Sequence, residues 1–196
     1  MSKKSVMGDP PQGWGRCAIY LSHLLNPAGV AILVVGIGAT SLTTALVGVT
    51  IYALIPGLVL ITLALRDSRP DVYDPTPAIR QRMLFAGTVC YLTGYVLSEW
   101  FGFDPQMRWI GATFSAGAVV VWGLDRVWKI SIHNTSAGGG AVLLTEMSPE
   151  FWPFWVMLPL VVGWARWVRR AHDLLQLVAG AALGACLAWL LRGRYL

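Results

Sequence analysis

Charge is what this sequence has least of. Only 13% of its residues are Asp, Glu, Lys or Arg, against 56% hydrophobic, and that balance excludes an ordinary soluble domain. The run from Ala28 to Leu65 carries no charge at all and is roughly twice the ~20 residues that a helix needs to cross a bilayer. Acidic residues are rarer still within the apolar runs, with Glu99 and Glu146 only at their ends, which makes a proton- or cation-coupled transporter or channel unattractive. Cysteine is scarce too. Cys17, Cys90 and Cys186 have no paired or metal-type spacing, so neither a disulfide framework nor a zinc site is implied, and small buried hydrophobes are expected. No tight His/Asp/Glu cluster appears, so neither a metal nor another cofactor is expected. A secretory leader would be one short apolar stretch near the start, whereas apolar runs recur here to the end.

What the chain does have is a succession of spans. The expected fold is all-α, a polytopic transmembrane helical bundle of six to seven spans: about Pro27–Ser41, Thr43–Leu65, Met83–Trp100, Trp109–Trp128, a short one within "KISIHNTSAGGGAVLLTEM", Trp152–Trp167 and Leu174–Leu191. Prolines and alternating charges in "RDSRPDVYDPTPAIRQR" break the membrane pattern between the second and third. Residues 1–26 read as an N-terminal tail with an interfacial helix in "GRCAIYLSHLL", and 27–196 as a single transmembrane domain. Tryptophans collect near span ends, at Trp100, Trp109, Trp128, Trp152, Trp155 and Trp189, as expected at headgroup level.

The net charge of +5 points to the membrane and not to nucleic acid, because of where the cations fall. The N-terminus and the loops after spans two, four and six share one face, which holds twelve of the fifteen Lys and Arg residues. Positive-inside reasoning makes that face cytoplasmic. Setting aside Arg80, Arg82, Lys129, Arg166 and Arg170 as candidate site residues still leaves seven cations against three.

Two histidines lie on the same basic face. Lys129 and His133 are four apart in "KISIH", and His172 stands in "RWVRRAHDLLQ" four residues before Gln176, so each pair shares a helix face if helical. Gln176 can then hold one imidazole nitrogen. His23 has no polar company and reads as interfacial. Separately, such arginines are snorkelling anchors, such histidines caps, and glycines like Gly180 and Gly184 helix-packing contacts. Together, three loops deliver cations and two of them add an imidazole. That set suits phosphoryl transfer: guanidinium and ammonium groups neutralise phosphoryl oxygens, one neutral imidazole attacks phosphorus, and another protonates the leaving oxygen.

At these residues the sequence resembles the type 2 phosphatidic-acid phosphatase superfamily, to which the vanadium haloperoxidases are related. The family's third motif, Ser-Arg, five residues, His, three residues, Asp, is similar to "ARWVRRAHDLLQLVAG", with Arg166, His172 and Gln176 in register. The second, Pro-Ser-Gly-His, looks like "ISIH", aligning Ser131 and His133. The first, Lys, six residues, Arg-Pro, is poorly matched: "SRP" at Ser68–Pro70 lacks the lysine, and "DPTPAIRQR" offers Arg80 and Arg82. The resemblance covers about Asp71 to Gly184. It implies that His172 is the nucleophile, forming a phosphohistidine, and that His133 is the general acid. Arg166, Lys129, Ser131 and Arg80 or Arg82 would bind the phosphate, with Gln176 where the family has the aspartate that orients the nucleophile.

Two departures bear on chemistry. A glutamine accepts the imidazole N–H but brings no negative charge, and Ile132 replaces the flexible glycine. The expected function is therefore an integral-membrane lipid-phosphate phosphatase, metal-independent, acting on a phospholipid monoester or a polyprenyl phosphate or diphosphate. The alternative is a non-catalytic lipid-phosphate binder with a degenerate site. Oligomeric state is not legible, since glycine-rich helices pack equally well within and between chains.

Overall fold

The computed structural model describes residues 12–66 and 76–196. Ser68–Pro70, Asp71 and Asp74 lie outside the described residues. The described chain is all-α, in eight helices. In chain order they are α1 (Gln12–Leu24), α2 (Pro27–Gly38), α3 (Leu42–Arg66, with a π-helical stretch at Thr50–Leu54), α4 (Pro77–Trp100), α5 (Pro105–Leu124), α6 (Ile132–Met147), α7 (Trp152–Val168) and α8 (Leu174–Tyr195).

The helix starts follow local chemistry. Asn26, Ser41, Asp104, Ser131 and Asp173 each cap a helix with a side-chain oxygen that accepts a backbone N–H three residues on. Proline occupies the first turn of α2, α4, α5 and α7, where its missing N–H costs nothing. Between α1 and α2 the axis bends by 57° at the Asn26 cap and Pro27.

Among the described residues, four helices are long and apolar enough to cross a membrane, α3, α5, α8 and α7 with its leading turn, and a fifth if the bent α1–α2 pair counts as one span. The chain is thus an integral membrane protein. The six to seven spans expected from sequence are not all met by length and composition. Helix α4 carries Arg80, Arg82 and Glu99, and α6 has only 16 residues, about 24 Å of helix.

The bundle is built around α5 and α6. Trp109, Ile110 and Val121 of α5 are fully buried, and eleven of the sixteen residues of α6 are buried, including the polar run His133–Ser136. Backbone polar groups away from water must be satisfied within the protein, and side chains here tie helix to helix: Trp109 Nε1 donates to Ala188 O at 2.9 Å, and Ser115 Oγ to Tyr91 O at 2.8 Å. Each such bond contributes ~0.6 kcal/mol on average inside a membrane. Trp109 is therefore an interior strut and not a headgroup-level ring as the sequence reading had it, whereas Trp100, Trp152 and Trp189 are exposed. Likewise Cys17 and Cys186 face outward instead of being buried.

Helices α6 and α8 meet backbone to backbone. A Cβ on Gly184 would run into the carbonyl of Thr135, and one on Gly138 into the carbonyl of Ala181. The small-residue contacts expected of Gly180 and Gly184 are made here, Gly180 lying against Ser131. This close seam brings the start of α6 beside the start of α8, and those two starts carry the two histidines.

Candidate functional site

The end of α7 and the start of α8 form one compact unit. Beyond Val168 the chain turns back on itself: Ala171 N–H donates to Arg166 O at 3.1 Å and Arg170 N–H to Trp167 O at 2.8 Å. Arg170 adopts φ 54°. This is a Schellman turn with a non-glycine residue in the left-handed position. Three residues after Arg170, Asp173 caps α8. Its Oδ1 accepts the Gln176 N–H at 2.8 Å, and Gln176 Oε1 accepts the Asp173 N–H at 3.3 Å. The spacing from Arg166 to His172 is therefore one helix stop joined to one helix start.

That capping box fixes the chemistry of His172. A backbone N–H can only donate, so the Gln176 atom facing Asp173 N is the amide oxygen. The same oxygen lies 2.9 Å from His172 Nδ1, so Nδ1 carries the proton. Nε2 keeps its lone pair, and it is buried without a hydrogen-bond partner. Burial holds the imidazole neutral, pushing its pKa down to about 3. The Gln176 hydrogen bond opposes that shift, and the charges of Arg166, Arg80 and Lys129 add to it. The result is a neutral, oriented imidazole with its Nε2 lone pair free and the charges of Arg166, Arg80 and Lys129 acting on it.

His133 sits in the first turn of α6, buried, among Arg166, His172, Arg169 and Arg80. Ser131 is the α6 cap, its Oγ accepting the Asn134 N–H at 3.3 Å. Arg166 is 3% exposed, with Nη1 donating to Ser22 Oγ of α1 at 3.4 Å. Lys129 is exposed, yet its charge reaches His172. Arg80 is tied down: Nε pairs with Asp125 at 2.8 Å, Nη2 donates to Ile130 O at 2.9 Å, and Gln81 holds the other Asp125 oxygen at 2.9 Å. Thus His172, His133, Gln176, Arg166, Ser131, Lys129 and Arg80 gather at one end of the bundle. Arg82 does not join them. It is exposed, and two residues past Arg80 it points about 200° around α4.

No family model, curated protein or solved structure matches this chain. Three residues of the site were missed from sequence. Ser22 carried no signal, being an isolated serine in an apolar helix. Arg169 was counted only as one cation of the basic face. Asp125 was passed over although it falls inside the expected span Trp109–Trp128, three residues before its end. Among the described residues, no group of three or more His, Cys, Asp or Glu side chains is placed to hold a metal ion.

Proposed function

We propose that this protein is a lipid-phosphate phosphatase of the bilayer surface, with α4 and α6 completing six to seven spans and the site at the cytoplasmic face. The observation that carries the reading is the unpaired Nε2 of His172, tautomer-fixed by Gln176 and surrounded by the charges of Arg166, Arg80 and Lys129.

The chemistry follows from those positions. A phosphate monoester brings two negative charges to the place where the charges of Arg166, Arg80 and Lys129 converge on His172, and there they are stabilised and held. His172 Nε2 attacks phosphorus as the ester P–O bond breaks, and His133, protonated beside the bound anion, gives its proton to the leaving oxygen. Water then attacks the phosphohistidine, returning the proton to His133 and releasing inorganic phosphate. The phosphoryl oxygens are neutralised by guanidinium and ammonium groups, so the reading needs no metal. The resemblance to the type 2 phosphatidic-acid phosphatases assigns the same roles to the same residues.

Detergent-purified protein is expected to release phosphate from lipid monoesters and to carry an acid-labile, alkali-stable phosphoryl label that His172→Ala removes. Absence of both release and label from a panel of lipid phosphates overturns the enzyme reading. One feature favours a second reading, a binder that does not turn over. Gln176 supplies no negative charge for the imidazolium that forms, and an aspartate-to-amide change in a protease triad costs on the order of 10⁴ in rate. The binder predicts saturable lipid-phosphate binding with no phosphohistidine.

A further inference from the structure

We propose that the groove between α6, α7 and α8 is the tail subsite for a single-chained glycerol phosphate monoester. The proposal rests on the lipid-phosphate reading above and narrows it to one substrate class. The groove has a volume of about 740 Å³. Its head is formed by Asn134, Leu174 and Leu177, the sequence neighbours of His133, Asp173 and Gln176. Its foot reaches Glu146 and Trp189, where Arg192 pairs with Glu146 at 2.8 Å. One end is thus next to the cationic cluster, and the other lies beside an ion pair.

Length limits the occupant. From Asn134 to Glu146 the groove follows roughly 18 Å of helix, close to half of a hydrocarbon core ~30 Å thick. One leaflet-length acyl chain fits that distance. A long polyprenyl chain would have to run past the Glu146–Arg192 pair. Width comes from Ala181 and Ala185, whose small side chains leave the room that larger ones would fill.

Asn134 narrows the headgroup. Its Nδ2 donates to Leu177 O at 3.0 Å, and because a carbonyl only accepts, the amide orientation is fixed. Oδ1 is then a buried acceptor without a hydrogen-bond partner, on a residue 3% exposed. Such an atom calls for a donor. A monoacylglycerol phosphate supplies one in the free hydroxyl between its ester and its phosphate. Diacyl and polyprenyl phosphates have no hydroxyl there.

The test uses the full chain in mixed micelles. Palmitoyl glycerol phosphate is expected to exceed its octanoyl homologue, its deoxy analogue and undecaprenyl phosphate in kcat/KM, each by at least about tenfold. Ala185→Trp, roughly 12 Å along α8 from Leu177, is expected to abolish the palmitoyl-over-octanoyl preference through loss on the longer substrate. Val178→Trp, at an exposed position of the same wall, serves if the first variant fails to fold. A preference untouched by the folded variant, or equal turnover of the deoxy analogue, overturns the proposal. A palmitoyl glycerol phosphate with a mid-chain diazirine separates the two readings. Label on α6–α8 without phosphate release keeps the groove and sinks the phosphatase. Release with label elsewhere sinks the groove alone.

Discussion

Gln176 Oε1 lies 2.9 Å from His172 Nδ1 and 3.3 Å from the Asp173 nitrogen, so one amide oxygen both closes a helix cap and fixes a tautomer. Gln176→Leu removes both functions. Loss of the cap interaction is expected to cost about 0.5–2 kcal/mol, and loss of the tautomer to lower phosphate release on the order of 10²-fold, within the usual contribution of acid–base groups. Gln176→Glu keeps an acceptor facing both partners and adds a charge that favours the imidazolium. Histidine-selective NMR should then place the His172 pKa above its wild-type value. A Leu variant as active as wild type would remove His172 from the proposed mechanism.

Stability should depend on pH through the same ring. His172 titrates at about 3 when folded against 6.5 as its ordinary value, so between those limits the unfolded chain binds a proton that the folded chain excludes. Stability therefore rises with pH through the window, is complete above about 6.5, and is lost as pH falls toward 3. Melting temperature in detergent is expected to drop on acidification over that range. His172→Asn, which cannot take the proton, should show a shallower decline. Parallel acid limbs for the two proteins would contradict the assignment.

How much of this was legible in sequence depended on the distance over which each feature is encoded. The Arg166–His172–Gln176 geometry is local, one helix stop and one start within eleven residues, and both cap and tautomer follow from residue types at fixed offsets. The near-complete set of helices was equally readable from apolar runs and their breakers. The partner of Arg80 was not. Asp71 and Asp74 are near it in sequence, but the acid it holds is Asp125, 45 residues away, and only the packing of α4 on α5 creates that pair. Trp109 misled for a similar reason: a tryptophan at a span end suggests an interface until α8 covers it.

Arg80 and Asp125 give a prediction of their own. Their side chains are 14% and 5% exposed, so removing one partner strands a largely buried charge. Either Arg80→Ala or Asp125→Ala is expected to cost roughly 3–5 kcal/mol, and the double variant less than the sum. Because Arg80 also holds the Ile130 carbonyl, the singles should loosen the loop leading to Ser131 and His133. That loosening should appear as faster hydrogen exchange at the start of α6, and strictly additive losses in the cycle would refute the coupling.

The α6–α8 seam sets the distance between the two imidazoles, and it can be tested without touching either. A Cβ on Gly184 meets the Thr135 carbonyl, a backbone atom that cannot swing aside, whereas one on Gly123 meets nothing. Alanine favours helix over glycine by ~0.8–1.0 kcal/mol, so Gly123→Ala should leave the melting temperature unchanged or raise it. Gly184→Ala has the same propensity gain but must push α8 off α6, and overpacking of this kind costs about 1–3 kcal/mol. The displacement acts on the starts of both helices, where His133 and His172 stand. Gly184→Ala is therefore expected to lower both melting temperature and phosphate-analogue affinity, measured as vanadate protection against thermal unfolding. Equal behaviour of the two alanine variants would mean that the seam does not hold the site together.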